Sequence, residues 1–199
     1  MVNLEYFNNF NIDNKQEFIK RFIFNPLFEA YNHLKLIEEI KNSDEVKINR
    51  EMYKYIRDFS SISKEVQKHI IFVNYKPKEV VGNEEHEPDL QFALPNCFSI
   101  FFEAKRIYKP DSYSIYCGEG GLGRFLSGYY SSEDIDGGML AYVQIGNILE
   151  AQEKIIVKVQ KIDCISLNRN IGIDSTFLST HRRITNNNIK IYHIFFDLT

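Results

Sequence analysis

Apolar side chains recur along this chain at two spacings, one typical of helices and one typical of strands. Between residues 26 and 41 they recur every three or four positions, which predicts a helix with Pro26 in its first turn. Residues 43–68 repeat that spacing and predict a longer helix, and a Phe-rich stretch at 15–24 precedes both. We expect residues 1–42 to form a helical extension packed on the core, with a dimer or partner surface as the alternative.

Short apolar runs bounded by Gly, Pro and Asn predict strands farther along the chain. A Leu94-Pro95-Asn96 turn is expected to join two of these runs into a hairpin. Gly137-Gly138 is expected to interrupt the chain ahead of another strand. The predicted strands are 70–75, 89–94, 98–108, 139–145, 176–183 and 189–197, and the predicted helices among them are 122–132 and 148–161. This order of elements predicts an α/β domain over residues 43–199.

Three charged residues converge in the predicted hairpin. Thirteen residues separate Asp89 from Glu103, and Lys105 follows two positions later. Because successive side chains of a strand point to opposite faces, Glu103 and Lys105 share one face. Pairing of the two hairpin strands would bring Asp89 close to Glu103. Two carboxylates and one ammonium are therefore expected at one site.

This set of residues suits a hard divalent cation. Mg²⁺ is commonly bound by one or two carboxylates and keeps several waters that phosphate oxygens can replace. A metal bound in this way polarises a phosphodiester, generates hydroxide near neutral pH and stabilises the leaving oxygen. Lys105 would orient the attacking water or offset the charge that develops at the phosphorus. The chemistry implied is phosphodiester hydrolysis with Mg²⁺, or Mn²⁺ as its substitute.

The sequence Pro88-Asp89, thirteen intervening residues, then Glu103-Ala104-Lys105 resembles the motif of the PD-(D/E)XK nuclease superfamily, which has the restriction-endonuclease-like fold. The resemblance implies a mixed central β-sheet flanked by helices, with a core order of helix, three strands, helix and strand. It implies Asp89 and Glu103 as metal ligands, the Ala104 carbonyl as a further ligand and Lys105 as the catalytic lysine.

Two later stretches, GLGRFLSGYYSSEDIDGGMLAYVQIG and STHRR…IKIYHIFFDL, are similar to bacterial members of that superfamily, so the resemblance covers roughly residues 45–199. An acidic residue of the first core helix often completes the metal site in the superfamily, and this implies Glu51 here. The activity implied is that of a Mg²⁺-dependent endodeoxyribonuclease. Analogy of fold alone suggests a restriction or anti-phage defence setting.

The residues themselves leave an alternative open, because Glu and Lys on alternate strand positions also occur on ordinary exposed sheet faces. The apolar run at 99–102 leads directly into Glu103, which favours a buried strand that ends at a charged site. The alternative is a catalytically silent nuclease-fold subunit of a larger defence complex. A nucleotide site at Gly118, Gly120 and Gly123 is disfavoured, because these glycines do not directly follow a strand.

Phosphate contacts are expected from basic side chains near the motif and near the C-terminus. The net charge of −3 does not favour nucleic-acid binding unless basic residues are segregated on one face. DNA is the expected ligand and RNA stays open. A protein partner, such as an ATPase or a recognition subunit, or a second copy of the chain, would supply recognition or gating. The expected phosphate contacts are Arg106, Arg124, His181, Arg182 and Arg183.

The remaining candidate residues are expected to be structural. His86 is read as a loop histidine and His193, in an apolar strand, as a hydrogen-bonded core histidine. The three cysteines are widely spaced and odd in number, which argues against disulfide pairing and against a zinc site. No apolar run approaches the roughly 20 residues that span a bilayer, so a cytoplasmic protein without a membrane association is expected.

Overall fold

The structure, a computed structural model, describes residues 14–81, 84–95, 97–130 and 135–199. Three parts of the predictions fall outside these ranges: residues 1–13 of the extension, Asn96 of the hairpin turn and the last two residues of the predicted helix 122–132. Within the described ranges the chain forms an α/β fold, with a seven-stranded mixed sheet flanked by helices. The predicted fold class is confirmed.

Helical segments precede the sheet and also connect its central strands. The segments ahead of the sheet are α1 (Lys15–Ile19), a π-helical turn (Lys20–Phe24), α2 (Asn25–Leu34), a 3₁₀ turn (Glu38–Asn42), α3 (Glu45–Phe59) and α4 (Ser63–Gln67). Those between strands are α5 (Ser112–Cys117), α6 (Leu122–Leu126) and α7 (Ile148–Val159). In the described part of the chain, none of these helices combines the length and the apolar character needed to cross a bilayer.

The strands form one large sheet and one small hairpin. Their bounds are β1 (Phe72–Tyr75), β2 (Glu79–Val81), β3 (Glu84–His86), β4 (Leu90–Leu94), β5 (Phe98–Ile107), β6 (Asp136–Val143), β7 (Cys164–Asn168), β8 (Thr176–Arg182) and β9 (Asn188–Asp197). The large sheet has the order β1-β4-β5-β6-β9-β8-β7, and β2 pairs with β3. The β5, β6 and β9 strands run parallel at its centre, and the flanking pairs are antiparallel.

Two hydrophobic clusters cover the two faces of the sheet. Phe101 and Phe102 are neighbours on β5, and because of the strand alternation they enter different clusters. The Phe102 cluster contains the buried side of α1, α2 and α3, whereas the Phe101 cluster contains α5, α6 and α7. The central strand β6 is buried along its whole length. Such burial on both faces is typical of the parallel part of an α/β sheet.

The N-terminal helices are part of the first of these clusters. The Phe24 ring meets Tyr192 of β9 edge-on at 5.3 Å between centroids, and Phe28 meets Phe196 in the same way at 5.5 Å. Edge-to-face pairs of this kind add to the stability that burial provides. The helical extension therefore completes one layer of the fold, from Lys15 onward.

Gly137-Gly138 lies inside β6, where the sequence predicted an interruption before the strand. A Cβ placed on Gly138 would lie 2.1 Å from the Phe102 ring of the neighbouring strand, and one on Gly137 would lie 2.6 Å from the Phe125 ring. Two aromatic rings thus occupy the space that side chains would need. The glycines permit close packing of the rings on the strand, and they do not break it.

The predicted helix 43–68 is divided in the structure. It ends at Phe59, and the Ser60 hydroxyl donates to the Ile56 carbonyl at 2.5 Å before the short α4 begins. Phe59, one of the apolar residues at the helical spacing of the predicted helix, is 72% exposed. Segments without a clear sequence pattern, namely the β2–β3 hairpin, α5 and β7, were not predicted.

Candidate active site

The β4–β5 hairpin brings Asp89 to the strand that carries Glu103. Leu90 pairs with Phe102, and the Asp89 N–H extends the ladder by donating to the Phe102 carbonyl at 3.1 Å. The Asp89 side chain turns back onto β5, where Oδ2 accepts from the Ala104 N–H at 2.8 Å. Burial and the negative charge of Glu103 raise the pKa of Asp89 to about 7, against the effect of the Ala104 N–H.

Glu103 is the most enclosed member of the cluster, with 1% of its surface exposed. Its Oε1 accepts from Lys105 Nζ at 2.6 Å, and Arg124 Nη1 lies 3.0 Å from Oε1 and 3.1 Å from Oε2. The Tyr130 hydroxyl donates to Oε2. A buried carboxylate needs such partners, because an isolated charge in the interior is strongly disfavoured.

Lys105 lies between the carboxylates. Its Nζ donates to Glu103, to Glu45 Oε1 at 3.2 Å and to the Ala104 carbonyl at 2.8 Å. Burial disfavours the charged ammonium, but the carboxylates of Glu103 and Glu45 outweigh burial and raise the pKa of Lys105. The side chain is thus a cation at neutral pH that can donate hydrogen bonds but cannot accept a proton. The Ala104 carbonyl, predicted as a metal ligand, accepts from this ammonium.

Glu45, which the sequence analysis did not identify, comes from the first turn of α3. Asp44 caps this helix, with Oδ1 accepting from the Lys47 N–H at 2.7 Å, so the helix begins at Glu45. Burial raises the pKa of Glu45, and Lys105 opposes that shift. An N-cap Asp followed by Glu is a recognisable helix start, and this signal could have placed Glu45 ahead of Glu51.

Glu51, the predicted acid of this helix, lies elsewhere. Its Oε1 accepts from Lys54 Nζ at 2.8 Å on the helix surface. Glu51 lies six positions after Glu45, which corresponds to about 9 Å along a helix and about 240° around it. Among the contacts described for Glu51, none joins it to Asp89, Glu103 or Lys105.

The turn into α6 places Arg124 beside Glu103. A Cβ on Gly121 would lie 2.2 Å from the Tyr116 carbonyl oxygen, so only glycine allows this close passage between α5 and α6. Arg124, predicted as a phosphate contact, pairs with Glu103 in this structure and also donates to the Tyr130 hydroxyl at 2.7 Å. Burial and the charge of Glu103 raise the pKa of Tyr130, so its phenol stays protonated. No sequence motif indicated Tyr130.

The predicted basic group near the C-terminus does not form one surface. Arg182 is exposed, but Arg183 and His181 are buried. Arg106 is partly buried, and its Nη1 donates to the Ser43 carbonyl at 3.2 Å. That carbonyl lies just ahead of α3, so Arg106 helps to fix the start of the helix that carries the acid. Among the predicted phosphate contacts, Arg182 is thus the exposed one.

His181 is part of a buried chain of hydrogen bonds. Its Nδ1 lies 2.7 Å from the Ile162 carbonyl, its Nε2 lies 2.8 Å from Ser179 Oγ, and that hydroxyl lies 2.8 Å from His193 Nε2. The Tyr116 hydroxyl lies 2.9 Å from His193 Nδ1. Because the carbonyl only accepts, neutral rings orient every bond in one direction, from the tyrosine to the carbonyl. His193 is therefore the hydrogen-bonded core histidine that the sequence predicted, and His181, predicted as a phosphate contact, is buried in the same chain of hydrogen bonds.

The cluster contains three acidic side chains and two basic ones. The carboxylates of Asp89, Glu103 and Glu45 surround the cations Lys105 and Arg124. In the described ranges, no group of three or more His, Cys, Asp or Glu side chains is arranged to hold a metal by itself. The residues therefore do not fit a metal enclosed by protein. Mg²⁺ can also be bound by only two carboxylates when water and phosphate fill its remaining positions, and Asp89 and Glu103 are the pair that the motif predicts for it.

Comparisons of this chain with protein-family models, with curated proteins and with solved structures found no match. The case for a function consequently rests on the geometry and the charges of the cluster.

Proposed function

We propose that this protein is a metal-dependent nuclease of the PD-(D/E)XK type that hydrolyses phosphodiester bonds of DNA. One observation carries the proposal: Asp89, directly ahead of β4, and Glu103 of β5 lie with Lys105 in one partly buried cluster, where Asp89 accepts from the Ala104 N–H and Glu103 accepts from Lys105. The motif spacing gives further support, as does the order of elements at the large sheet: α3 precedes β1, β4 and β5, and α5 and α6 follow before β6.

Asp89 and Glu103 would hold Mg²⁺. When bound, the metal would supply Lewis-acid activation of the phosphodiester and a nucleophilic hydroxide. Asp89 is fixed for this role by its hydrogen bond from the Ala104 N–H, which leaves the other carboxylate oxygen for the metal. Burial and the charge of Glu103 raise the pKa of Asp89 to about 7, so a metal at this carboxylate would compete with a proton near neutral pH.

Lys105 would contact the substrate through its ammonium. The raised pKa keeps it protonated, so it would stabilise charge on a phosphate oxygen or orient the attacking water by hydrogen bonding. Glu45 accepts from the same ammonium and acts as a positioning residue. A cleft of ≈ 350 Å³ opens beside this pair, lined also by Arg106 and Tyr108, and gives access from solvent.

The substrate and the setting belong to the same proposal. DNA is the substrate proposed, in the cytoplasm and in a restriction or defence role that rests on analogy of fold. Because the net charge is −3 and the basic C-terminal residues are largely buried, a protein partner would supply much of the affinity for nucleic acid.

Cleavage assays on the full chain test the proposal. Plasmid DNA, single-stranded DNA and RNA are incubated with Mg²⁺ or Mn²⁺, using wild type, Asp89→Asn and a Lys158→Met control on the surface of α7. We expect metal-dependent cleavage that chelator and Asp89→Asn abolish and that the control retains. A protein that cuts none of these and binds no metal in titrations would be the silent interaction subunit instead.

A further inference from the structure

Arg124 makes the contacts with Glu103 that a metal ion would have to replace. Its Nη1 lies within hydrogen-bond distance of both carboxylate oxygens, at 3.0 and 3.1 Å. Lys105 takes a second position on Oε1, and Tyr130 takes one on Oε2. A metal that binds Glu103 must share or displace one of these donors. Arg124 spans both oxygens, so it obstructs the metal at either one.

The charge of Arg124 makes this obstruction independent of pH. A guanidinium remains protonated under all ordinary conditions, and it repels a second cation at the same carboxylate. Lys105 has two partners besides Glu103, the Glu45 carboxylate and the Ala104 carbonyl, whereas Arg124 has the Tyr130 hydroxyl. The ammonium can therefore stay in place when the metal arrives, whereas the guanidinium cannot keep both of its contacts.

Arg124 also has a route away from Glu103. Its side chain is 30% exposed, in contrast to the buried carboxylate, and its guanidinium carbon lies 5.3 Å from the ring centroid of Tyr129. Tyr129 is itself 36% exposed. Every hydrogen bond described for the Arg124 side chain uses Nη1, so its other guanidinium nitrogens contribute none of these contacts. The residue lies at the border between the buried cluster and solvent.

We propose that Arg124 is an exchangeable counterion: it holds Glu103 while the metal is absent and moves onto a phosphate of the nucleic acid when the metal binds. This inference rests on the proposed nuclease function. Arginine forms bidentate pairs with phosphate as readily as with carboxylate, so one side chain serves both states. Binding of the metal and binding of nucleic acid then favour each other, because both are helped when Arg124 leaves Glu103.

Metal binding in the absence of nucleic acid tests the exchange. Mn²⁺ is titrated calorimetrically into the full chain as wild type, Arg124→Gln and an Arg169→Gln control, whose arginine pairs with Glu153 on the surface. Loss of one charge-assisted contact that competes with the metal should tighten Mn²⁺ binding by about tenfold in Arg124→Gln alone. Circular dichroism establishes that each variant is folded, and Glu103→Gln should remove binding.

The second arm measures nucleic-acid binding with Ca²⁺ in place of Mg²⁺, so that cleavage does not interfere. Arg124→Gln should weaken binding and reduce the salt dependence by about one phosphate contact. Mn²⁺ binding that is equal in wild type and a folded Arg124→Gln, or weaker in the variant, overturns the exchange and leaves the nuclease proposal standing. If neither protein binds Mn²⁺, the exchange and the metal-dependent function both fail.

Discussion

Lys105 Nζ lies 2.6 Å from Glu103 Oε1, two residues earlier on the same strand, and 3.2 Å from Glu45 Oε1 on helix α3. One ammonium thus joins the sheet to the helical layer at the candidate site. The contact of Lys105 with Glu103 is local in sequence, whereas its contact with Glu45 joins residues sixty positions apart. Removal of the Lys105 ammonium should lower the cleavage rate more than it lowers the stability of the fold.

Lys105→Met is expected to reduce the cleavage rate by about 10²- to 10³-fold, because the site loses the group that stabilises charge on the phosphate. Lys105→Arg should restore little, since a planar guanidinium cannot occupy the same three-contact position. Single-turnover rates at saturating Mg²⁺ measure the effect, with Lys158→Met as the control. Near-normal rates in Lys105→Met would remove Lys105 from the mechanism.

Asp89→Asn should stabilise the fold at pH 8. Folding raises the pKa of Asp89 from 3.8 to about 7. The folded wild type therefore loses stability as the pH rises between these two values, because its buried carboxyl resists ionisation. The asparagine amide cannot ionise, so the variant should be more stable to unfolding than wild type by about 1 to 4 kcal/mol at pH 8 and equally stable near pH 4. Urea unfolding of both proteins across this range is the measurement. A variant less stable than wild type at pH 8 would contradict the raised pKa of the buried Asp89 carboxyl.

The buried histidine chain should make the protein sensitive to acid. Burial lowers the pKa of His193 well below 6.5, and burial likewise lowers that of His181. Both rings stay neutral in the folded state while the unfolded chain takes up protons, so stability falls as the pH drops below about 6.5. The slope should reach about 1.4 kcal/mol per pH unit for each histidine.

His193→Gln isolates this effect. The variant should be less stable at pH 7, because its neighbours lose a partner, yet its stability should fall less steeply between pH 6.5 and 5. Both proteins keep the acidic cluster, so its contribution cancels in the difference between the two slopes. His69→Asn, at an exposed position with φ of 57° that Asn tolerates, is the control. Equal slopes in wild type and His193→Gln would indicate that the ring titrates in the folded state.

Gly138→Ala is expected to destabilise the protein by about 1 to 3 kcal/mol, because the new methyl would meet the Phe102 ring. Phe102 adjoins Glu103, so the shift of the ring should also lower activity. Gly120→Ala is the matched control, since a Cβ there would have nothing within 4 Å. Chemical denaturation and cleavage rates of the two variants give the comparison. Equal stabilities would mean that β6 and β5 can separate freely at this position.

Local patterns predicted the centre of the candidate site. Strand alternation places Glu103 and Lys105 on one face, and the hairpin places Asp89 beside them, because both relationships depend only on neighbouring segments. The apolar run before Glu103 correctly indicated a buried strand. Their roles in metal binding and catalysis stay predictions.

Relationships that depend on how distant layers pack were harder to predict. The choice between Glu45 and Glu51 depends on where α3 begins and how it is rotated over the sheet, and neither follows from apolar spacing alone. Tyr130 reaches Glu103 across 27 positions of chain. His181 looked like part of a basic surface, but β8 turns it toward the Ile162 carbonyl. Side-chain burial at such positions is a property of the assembled fold.

The one-directional chain from Tyr116 to the Ile162 carbonyl has an evolutionary consequence. Each member donates to the next, so loss of the Ser179 hydroxyl would leave the Nε2 atoms of both His181 and His193 without their hydrogen-bond partner. These positions should therefore change together among homologous chains. Where position 179 cannot both donate and accept, the positions of the two histidines should hold residues that need no such partner, and a survey of related sequences would show this as covariation.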